Sequence, residues 1–318
     1  MPAAKPHTAE PSPETSPEPI WVLTGPTAAG KTDLALRLAE SEQLEILSMD
    51  SMAVYRRMDI GTAKPSDSAR ARVPHHLIDL VEPDQDFDTS RWCSAATAAV
   101  DEVRSRGRQP LFVGGTPLYL MAFFKGMMEG PAAQPGLRAQ LVADEAAEPG
   151  VLYRRLAKVD AEAAQRIHQN DHKRQVRALE YFELTGQPIS QQRQQFESDG
   201  WRVPCRIAAV SRDREELQDR VKVRTSAMLD AGLLEEVASI QDDSGFSNTA
   251  AAAIGYAQCL HHLEVGYKDI EELRNMIRRS THRLIRRQTS WLRRIPEVQW
   301  FDPGTSVADL TERFTAGS

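Results

Sequence analysis

The chain has 318 residues, with 39 lysines and arginines against 45 aspartates and glutamates, which gives a formal net charge of −6. Hydrophobic residues make up 41% and charged residues 26%, a composition that fits one large globular domain or two smaller ones and excludes a fibrous or fully disordered chain. Three widely spaced cysteines without a CxxC pair exclude a disulfide scaffold and a cysteine-rich zinc site, and no apolar stretch could span a bilayer, so we expect a cytoplasmic protein without membrane association.

The N-terminal segment differs in composition from the rest of the chain. Residues 1–19 contain six prolines and almost no side chains that could be buried, which predicts a disordered tail. Residues 20–23 are continuously apolar and predict the first strand, and a helix is predicted from Lys31 to about Ser41.

A glycine-rich turn joins this strand to this helix. It matches the phosphate-binding pattern G-x-x-x-x-G-K-[ST] in Gly25, Pro26, Thr27, Ala28, Ala29, Gly30, Lys31 and Thr32. Glycines allow backbone N–H groups to turn toward a diphosphate, the lysine neutralises its oxygens, and the threonine hydroxyl is a ligand for Mg²⁺. We therefore predict a diphosphate site with Thr32 as the metal ligand.

Two later strands end beside this turn if the sheet is parallel. Residues 45–48 predict a strand that leads to Asp50, a carboxylate that could serve as a general base, a metal ligand or a turn cap. Residues 110–113 predict a buried strand, which is followed by Gly114, Gly115 and Thr116. This strand end lacks the acidic residue that holds the metal in most nucleotide triphosphatases. That absence argues against an ordinary NTPase.

The alternation of strands and helices predicts the fold class. A further strand is predicted at residues 76–80 and a helix at residues 89–106, so the pattern indicates an α/β fold with a P-loop NTPase-like parallel sheet and helices on both faces. We predict that residues 20–125 and 202–318 form this core. Residues 126–201 show helical periodicity interrupted by prolines and glycines, and we predict an all-helical insertion domain there.

The C-terminal part resumes the core. Residues 206–210 predict a strand, followed by three or four helices as far as residue 294. Residues 274–294 contain eight arginines and no acidic residue, so this globally acidic chain has one strongly basic helix that could bind a polyanion.

Several blocks together resemble the bacterial tRNA dimethylallyltransferase (tRNA isopentenyltransferase) family. They occur in the family's order and span about residues 20–302. The blocks are residues 49–65 (MDSMAVYRRMDIGTAKP), 74–79 (PHHLID), 113–120 (VGGTPLYL), 177–180 (RALE) with 185–190 (TGQPIS), 254–256 (IGY) and 286–293 (RRQTSWLR).

The resemblance implies the reaction and the partners. A member of this family transfers a dimethylallyl group from dimethylallyl diphosphate to N6 of the adenosine 3′-adjacent to the anticodon, in tRNAs that read codons beginning with U, and releases diphosphate. The implied partners are the tRNA anticodon stem-loop and dimethylallyl diphosphate, with Mg²⁺ as cofactor, and we expect a monomer.

The resemblance also implies roles for particular residues. Asp50 takes the general-base position, Thr116 lies at the reaction channel, and Arg224 neutralises the leaving group. The residues matched to tRNA contact are Asp50, Ser51, Met52, Ala53, Thr116, Arg138, Lys173, Arg174, Gln175, Val176, Arg177, Ala252, Ala253, Ile254, Gly255, Tyr256 and Ala257.

Two other functions remain open from the residues alone. A P-loop kinase of a nucleotide or small metabolite would use the same phosphate-binding turn, although the missing acidic strand end argues against it. A non-catalytic RNA-binding protein could keep the fold, although the presence of Asp50, Lys31 and Arg224 argues against that.

Overall fold

The computed structural model describes residues 18–127, 130–192 and 200–316. The predicted tail therefore lies outside the described residues except for its last two positions. Contacts divide the chain into two units: one is formed by the chain up to Phe124 and from Val203 onward, and the other is Lys125–Arg202. The amide nitrogen of Val203 donates to the carbonyl of Phe124 at 3.0 Å.

The first unit is built on a parallel sheet. In the described residues it has six strands in the order β3-β2-β4-β1-β5-β6, and every paired neighbour is parallel. The strands are β1 (Ile20–Thr24), β2 (Glu45–Ser48), β3 (His75–His76), β4 (Pro110–Val113), β5 (Cys205–Val210) and β6 (Val298–Phe301). The predicted α/β fold class is confirmed.

Helices surround this sheet. They are α1 (Lys31–Glu42), α2 (Asp67–Arg72), α3 (Thr89–Ser105), α4 (Pro117–Phe124), α9 (Arg214–Asp230), α10 (Leu233–Asp243), α11 (Asn248–Ala251), α12 (Tyr256–Glu264), α13 (Ile270–Leu292) and α14 (Val307–Thr315), where the numbers α5–α8 belong to the second unit. None of the described helices combines the length and apolar composition needed to cross a bilayer.

Adjacent residues of β4 show that both faces of the sheet are covered. Leu111 is buried in a cluster that includes residues of α1 and α14, such as Leu34 and Phe314. Phe112 points to the opposite face, where its ring lies against the ring of Trp92 from α3. The carboxyl ends of the strands are consequently left free to form a site.

Two expectations for the first unit are wrong in detail, and two of its elements were missed. The strand predicted at residues 76–80 is reduced to two residues, because Leu77 and Asp79 adopt left-handed backbone angles (φ 63° and 55°) that end it. Five helices rather than three or four lie between β5 and residue 294. The edge strand β6 and the final helix α14 were not predicted.

The second unit is helical in its described residues, with α5 (Pro135–Ala147), α6 (Val151–Val159), α7 (Ala161–Arg166) and α8 (His172–Thr185). The predicted breaks coincide with helix ends: Pro135 begins α5, and Gly186 ends α8 with a left-handed φ of 70°. Leu141, Leu152 and Leu179 are fully buried in the core of this unit.

Candidate active site

The glycine-rich turn joins β1 to α1 and has the backbone that phosphate binding needs. Gly25 and Gly30 have φ angles of 137° and 94°, and Ala28 also lies in the left-handed region at 65°. A Cβ atom on Gly25 would lie 2.8 Å from the carbonyl oxygen of Val210, so a larger residue would push the turn away from β5.

Several N–H groups of this turn are available for an anion. The N–H of Ala29 donates to the carbonyl of Pro26, whereas those of Ala28 and Gly30 donate to no acceptor in the described part of the chain. The N–H groups at the start of α1 have no acceptor within the helix, and the positive end of its dipole points the same way. The turn is therefore suited to bind a diphosphate.

Lys31 is held at the centre of the turn. Its Nζ donates to the carbonyl of Gly25 at 3.0 Å and to that of Pro26 at 2.8 Å. Burial lowers the pKa of Lys31 to about 8, Asp50 opposes this shift, and Arg224 adds to it. Lys31, Asp50 and Arg224 are thus close enough to influence one another's charge.

Asp50 lies two residues beyond the end of β2 and is half-buried. Its Oδ1 accepts a hydrogen bond from the N–H of Met52 at 2.8 Å, which fixes the carboxylate at this position. Oδ2 accepts no hydrogen bond from any described residue. One carboxylate oxygen is therefore free to accept a proton or to bind a ligand.

Thr116 follows β4 and precedes α4. Its Oγ1 accepts a hydrogen bond from the N–H of Ser51 at 3.2 Å, and its own N–H donates to the carbonyl of Met49 at 3.3 Å. The two glycines before it permit this approach, since a Cβ atom on Gly114 would lie 2.1 Å from the same Met49 oxygen. The hydroxyl thus ties the end of β4 to the segment that contains Asp50.

A cavity of about 630 Å³ lies in front of these residues. Its wall includes Lys31, Thr32, Asp50 and Arg224, together with the apolar residues Ile46, Ile78 and Val113. One cavity therefore combines cationic, acidic and apolar walls, which is the combination needed by a ligand with a charged and a hydrocarbon end.

Three arginines approach the turn from the C-terminal half of the chain. Nε of Arg212 donates to the carbonyl of Ala29 at 2.7 Å, and Nε of Arg220 donates to that of Ala28 at 2.6 Å. Arg224 lies one helical turn beyond Arg220 on α9, and its guanidinium donates to no described residue. Burial lowers the pKa of Arg224, Asp50 opposes this, and Arg220 contributes to it.

Arg212 and Arg220 were not predicted as site residues. The spacing of four between Arg220 and Arg224 was a usable signal, because residues four apart lie on the same face of a helix. No local pattern could have indicated Arg212, whose partner Ala29 is 183 residues away.

A buried lysine connects two of the family-like blocks, residues 49–65 and residues 74–79. The side chain of Lys64 is 2% exposed, and its Nζ lies 2.6 Å from Oδ1 of Asp79 and 2.7 Å from Oδ1 of Asp59. Burial would raise the pKa of Asp79, but hydrogen bonds from Lys64 and Arg70 outweigh it and hold the pKa below its usual value. The ion pairs stabilise the irregular segment that borders the cavity.

Glu236 of α10 connects the block at residues 49–65 with the block at residues 254–256. Its Oε2 accepts hydrogen bonds from the N–H groups of Asp59 and Ile60, and its Oε1 accepts one from the hydroxyl of Tyr256. Tyr256 and Ala253 are buried, while Ala252 is exposed. Residues 252–257 were predicted to contact tRNA, but Tyr256 instead packs against the segment at residues 59–61 and shares Glu236 with it.

The predicted tRNA contacts of the second unit fall into three groups. Lys173 and Arg174 at the start of α8 are exposed, whereas Gln175 and Val176 are buried. Arg138 and Arg177 both lie 2.8 Å from Oε2 of the fully buried Glu180. Lys173 and Arg174 are therefore available to a partner, whereas the buried pair is not and the two arginines beside Glu180 already have a partner within the unit.

The basic helix α13 is less uniform than its sequence indicated. Arg274 and Arg278 have side chains only 20% and 17% exposed, and both form ion pairs with Glu271, one turn before the stretch that has no acidic residue. The remaining arginines of residues 274–294 are exposed and available to phosphates: Arg279, Arg283, Arg286 and Arg287 on α13, and Arg293 and Arg294 directly after it.

The described residues contain no cluster of three or more histidine, cysteine, aspartate or glutamate side chains that could hold a metal ion. Mg²⁺ does not require such a cluster, because it is usually bound by one or two protein oxygens together with substrate phosphates. Thr32 and Asp50 both line the cavity and supply oxygens of this kind.

Comparison with known proteins identifies two matching family models. The model described as IPP transferase matches residues 53–295, and the one described as isopentenyl transferase matches residues 18–73. Among curated proteins, a tRNA dimethylallyltransferase of Desulfotalea psychrophila is 40% identical over 297 residues, which are 93% of this chain and 94% of that protein. One of Halorhodospira halophila is 44% identical over 86% of this chain and 90% of its own length.

Solved structures give the same result. A tRNA isopentenylpyrophosphate transferase of Bacillus halodurans matches with a TM-score of 0.68 and 32% identity, covering 93% of this chain and 94% of that one. A eukaryotic dimethylallyltransferase acting on tRNA matches with a TM-score of 0.75 and 25% identity, covering 94% of this chain and 76% of that one. The resemblance inferred from the motifs is confirmed.

Proposed function

This chain belongs to the IPP transferase family, whose curated relatives are tRNA dimethylallyltransferases, and we propose that it transfers a dimethylallyl group from dimethylallyl diphosphate to N6 of the adenosine 3′-adjacent to the anticodon. The observation that carries the proposal is the meeting of Lys31, Asp50 and Arg224 at one cavity in front of the phosphate-binding turn. We extend the proposal to tRNAs that read codons beginning with U.

The leaving group determines the first requirement of this reaction. As the bond between the allylic carbon and the diphosphate oxygen breaks, negative charge grows on the diphosphate. We assign Lys31 and the free N–H groups of Ala28 and Gly30 to the stabilisation of that charge. Arg224 donates no competing hydrogen bond to the described residues and is the further cation we assign to the leaving group.

The nucleophile determines the second requirement. The exocyclic amine of adenosine is a weak nucleophile and must lose a proton as the new N–C bond forms. Asp50 has a free Oδ2 and lies near Lys31, so we assign it as the base that accepts this proton. General-base catalysis of this kind contributes about 10²–10⁴ to the rate. We expect the target base to leave the anticodon-loop stack to reach it.

We propose Mg²⁺ as the cofactor, held by the Thr32 hydroxyl and the diphosphate oxygens. When bound, it supplies charge neutralisation to the diphosphate. Thr116, which ties the end of β4 to the N–H of Ser51, is proposed to shape the channel in which adenosine meets the donor.

We propose that exposed cations bind the anticodon stem-loop. In the second unit these are Lys173 and Arg174, and in the first unit they are the exposed arginines of α13. Phosphate contacts of this kind provide affinity and position the RNA, while the base is read in the cavity. A tRNA substrate fits a cytoplasmic location, and the proposed enzyme acts as a monomer.

The kinase alternative is not favoured by the family match. It is further weakened by β4, which is followed by Gly114 and Gly115 rather than by an acidic residue that could hold a nucleotide-bound metal.

The proposal is tested by incubating the protein with labelled dimethylallyl diphosphate, Mg²⁺ and unmodified tRNA. We expect label in the tRNA and one diphosphate released for each group transferred. A matched tRNA with guanosine at the target position should remain unlabelled. Transfer of phosphate from ATP to a small metabolite, without labelling of tRNA, would overturn the proposal in favour of a kinase.

A further inference from the structure

One buried side chain of α13 contacts both loops that border the cavity. Gln288 is 7% exposed. Its Oε1 accepts a hydrogen bond from the N–H of Thr27 in the phosphate-binding turn at 2.9 Å, and its Nε2 donates to the carbonyl of Gly115 after β4 at 2.6 Å. These partners are 261 and 173 residues away in the chain.

The surroundings of Gln288 are built for this contact. A Cβ atom on Gly115 would lie 2.6 Å from Nε2 of Gln288, so glycine at this position allows the amide to approach the backbone. The preceding carbonyl, of Gly114, is fixed by the hydroxyl of Thr24 at 2.8 Å. Both loops are therefore held against the sheet, and Gln288 fixes the distance between them.

The hydrogen bond from Thr27 to Gln288 affects which N–H groups of the phosphate-binding turn are free to bind a ligand. The N–H of Thr27 is occupied by Gln288, and that of Ala29 by the carbonyl of Pro26. The N–H groups of Ala28 and Gly30 are left free by the described residues, and their direction depends on how the turn is held at Thr27. A backbone donor contributes to catalysis only when it already points at the position where charge develops.

We propose that Gln288 is a positioning residue for the donor: through Thr27 and Gly115 it holds the phosphate-binding turn in the conformation that receives the diphosphate. This inference rests on the proposed function for the identity of the donor. It does not make Gln288 a catalytic residue, since both polar atoms of its amide are engaged with the backbone.

The test compares Gln288→Met, which keeps the length and approximate volume but removes both hydrogen bonds, with the unaltered protein. We expect the Kd for inorganic diphosphate in the presence of Mg²⁺, measured by calorimetry, to rise about tenfold or more, because the free N–H groups lose their fixed direction. The Kd for tRNA should stay within about twofold, because the exposed cations are untouched. In the transfer assay the KM for dimethylallyl diphosphate should rise, whereas the KM for tRNA should not.

Two further variants keep the result interpretable. Gln299→Met makes the same replacement at an exposed position of β6 and should change neither constant. Gln288→Asn keeps the amide but is one methylene too short to reach both backbones, and it provides the same comparison if the methionine variant does not fold. Thermal unfolding reports whether each variant is folded.

The outcomes are distinguishable from those of the proposed function. An unchanged diphosphate Kd in a folded Gln288 variant, even one with a lowered unfolding temperature, would overturn the inference and leave Gln288 as a structural tie. Failure of the unaltered protein to label tRNA would overturn the proposed function instead, while diphosphate binding would still report on Gln288.

Discussion

The ring of Tyr256 packs directly on the backbone of Gly61: a Cβ atom at this glycine would lie 2.4 Å from Cε2 of the ring. The tyrosine hydroxyl at the same time donates to Glu236, which accepts the N–H groups of Asp59 and Ile60. Gly61 of the block 49–65, Tyr256 of the block 254–256 and Glu236, which lies in neither block, are thus packed together beside the cavity.

This packing predicts the effect of Gly61→Ala. The added methyl group cannot be accommodated without moving the ring of Tyr256, and we expect a loss of about 1–3 kcal/mol in the free energy of unfolding, measured by denaturant titration. Gly304→Ala is the matched control, since a Cβ atom there meets nothing within 4 Å. Equal stability of the two variants would show that the ring does not occupy this position.

Asp50→Asn tests the general base. Asparagine keeps the oxygen that accepts from Met52 and therefore preserves the local backbone, but it cannot take up a proton. We expect single-turnover transfer to fall by about two orders of magnitude or more while tRNA affinity is retained. Asp219→Asn, at the rim of the same cavity, should be near normal. Near-normal transfer by Asp50→Asn would remove this residue from the mechanism.

The lowered pKa of Lys31 predicts a pH dependence of diphosphate binding. Burial is the main cause of the shift to about 8, so Lys31 is protonated below that pH and loses its charge above it. We expect the Kd for inorganic diphosphate to rise by up to about tenfold per pH unit above pH 8, measured by calorimetry. The arginine of Lys31→Arg remains charged, so diphosphate binding by this variant should lose the pH dependence. In the transfer assay, Lys31→Ala should be inactive. A dependence identical in the arginine variant would assign the titration to another group.

Glu180 predicts how the helical unit responds to acid. Burial disfavours its charge, but hydrogen bonds from Arg138, the N–H of Gln134 and Arg177 prevail and hold the pKa of Glu180 at about 2, below an ordinary value of 4.5. Because the folded pKa is lowered, the stabilisation is complete above about pH 4.5 and is lost as the pH falls toward 2.

At neutral pH, Glu180→Gln should cost this unit about 1–3 kcal/mol, as judged by its unfolding transition, and should remove that acid dependence. Glu183→Gln alters only an exposed ion pair with Arg155 and should cost less than about 1 kcal/mol. An acid transition that is unchanged in Glu180→Gln would place its origin elsewhere.

Arg174→Ala tests the proposed RNA surface. The side chain is 73% exposed, and its ion pair with Asp171 is long at 3.4 Å, so it is available to a phosphate. We expect weaker tRNA binding and a plot of log affinity against log salt that is flatter by about 0.9, with diphosphate binding unchanged. Unaltered affinity and slope here and in a Lys173→Ala variant would direct attention to the exposed arginines of residues 279–294.

Much of the core could be predicted because its signals are local. The strands β1, β2, β4 and β5 each contain a short apolar run, and the phosphate-binding turn is a contiguous motif between a strand and a helix. The strand β6 escaped prediction because its buried residues, Val298 and Phe301, are separated by the exposed Gln299 and lie at the edge of the sheet.

The parts of the site that escaped prediction depend on contacts between distant residues. Gln288 and Arg212 hydrogen-bond to the backbone of the turn, and no residue type or spacing near either of them indicates that partner. For Arg220 the only sequence signal was its spacing of four from Arg224. Glu236 is an unremarkable acidic residue of α10 until the chain folds and brings Asp59 and Tyr256 to it. Local patterns identified which residues could do chemistry, but they did not identify which residues hold those groups in place.

The hydrogen bond between Phe124 and Val203 brings together the two points at which the chain leaves the sheet unit and returns to it. Residues 125–202 are therefore an insertion into one connection of the first unit, and the two residues that flank the insertion, Phe124 and Val203, are in contact. A short linker could therefore join Phe124 to Val203 without stretching the sheet, so the first unit could be produced without residues 125–202 and each unit could be studied by itself.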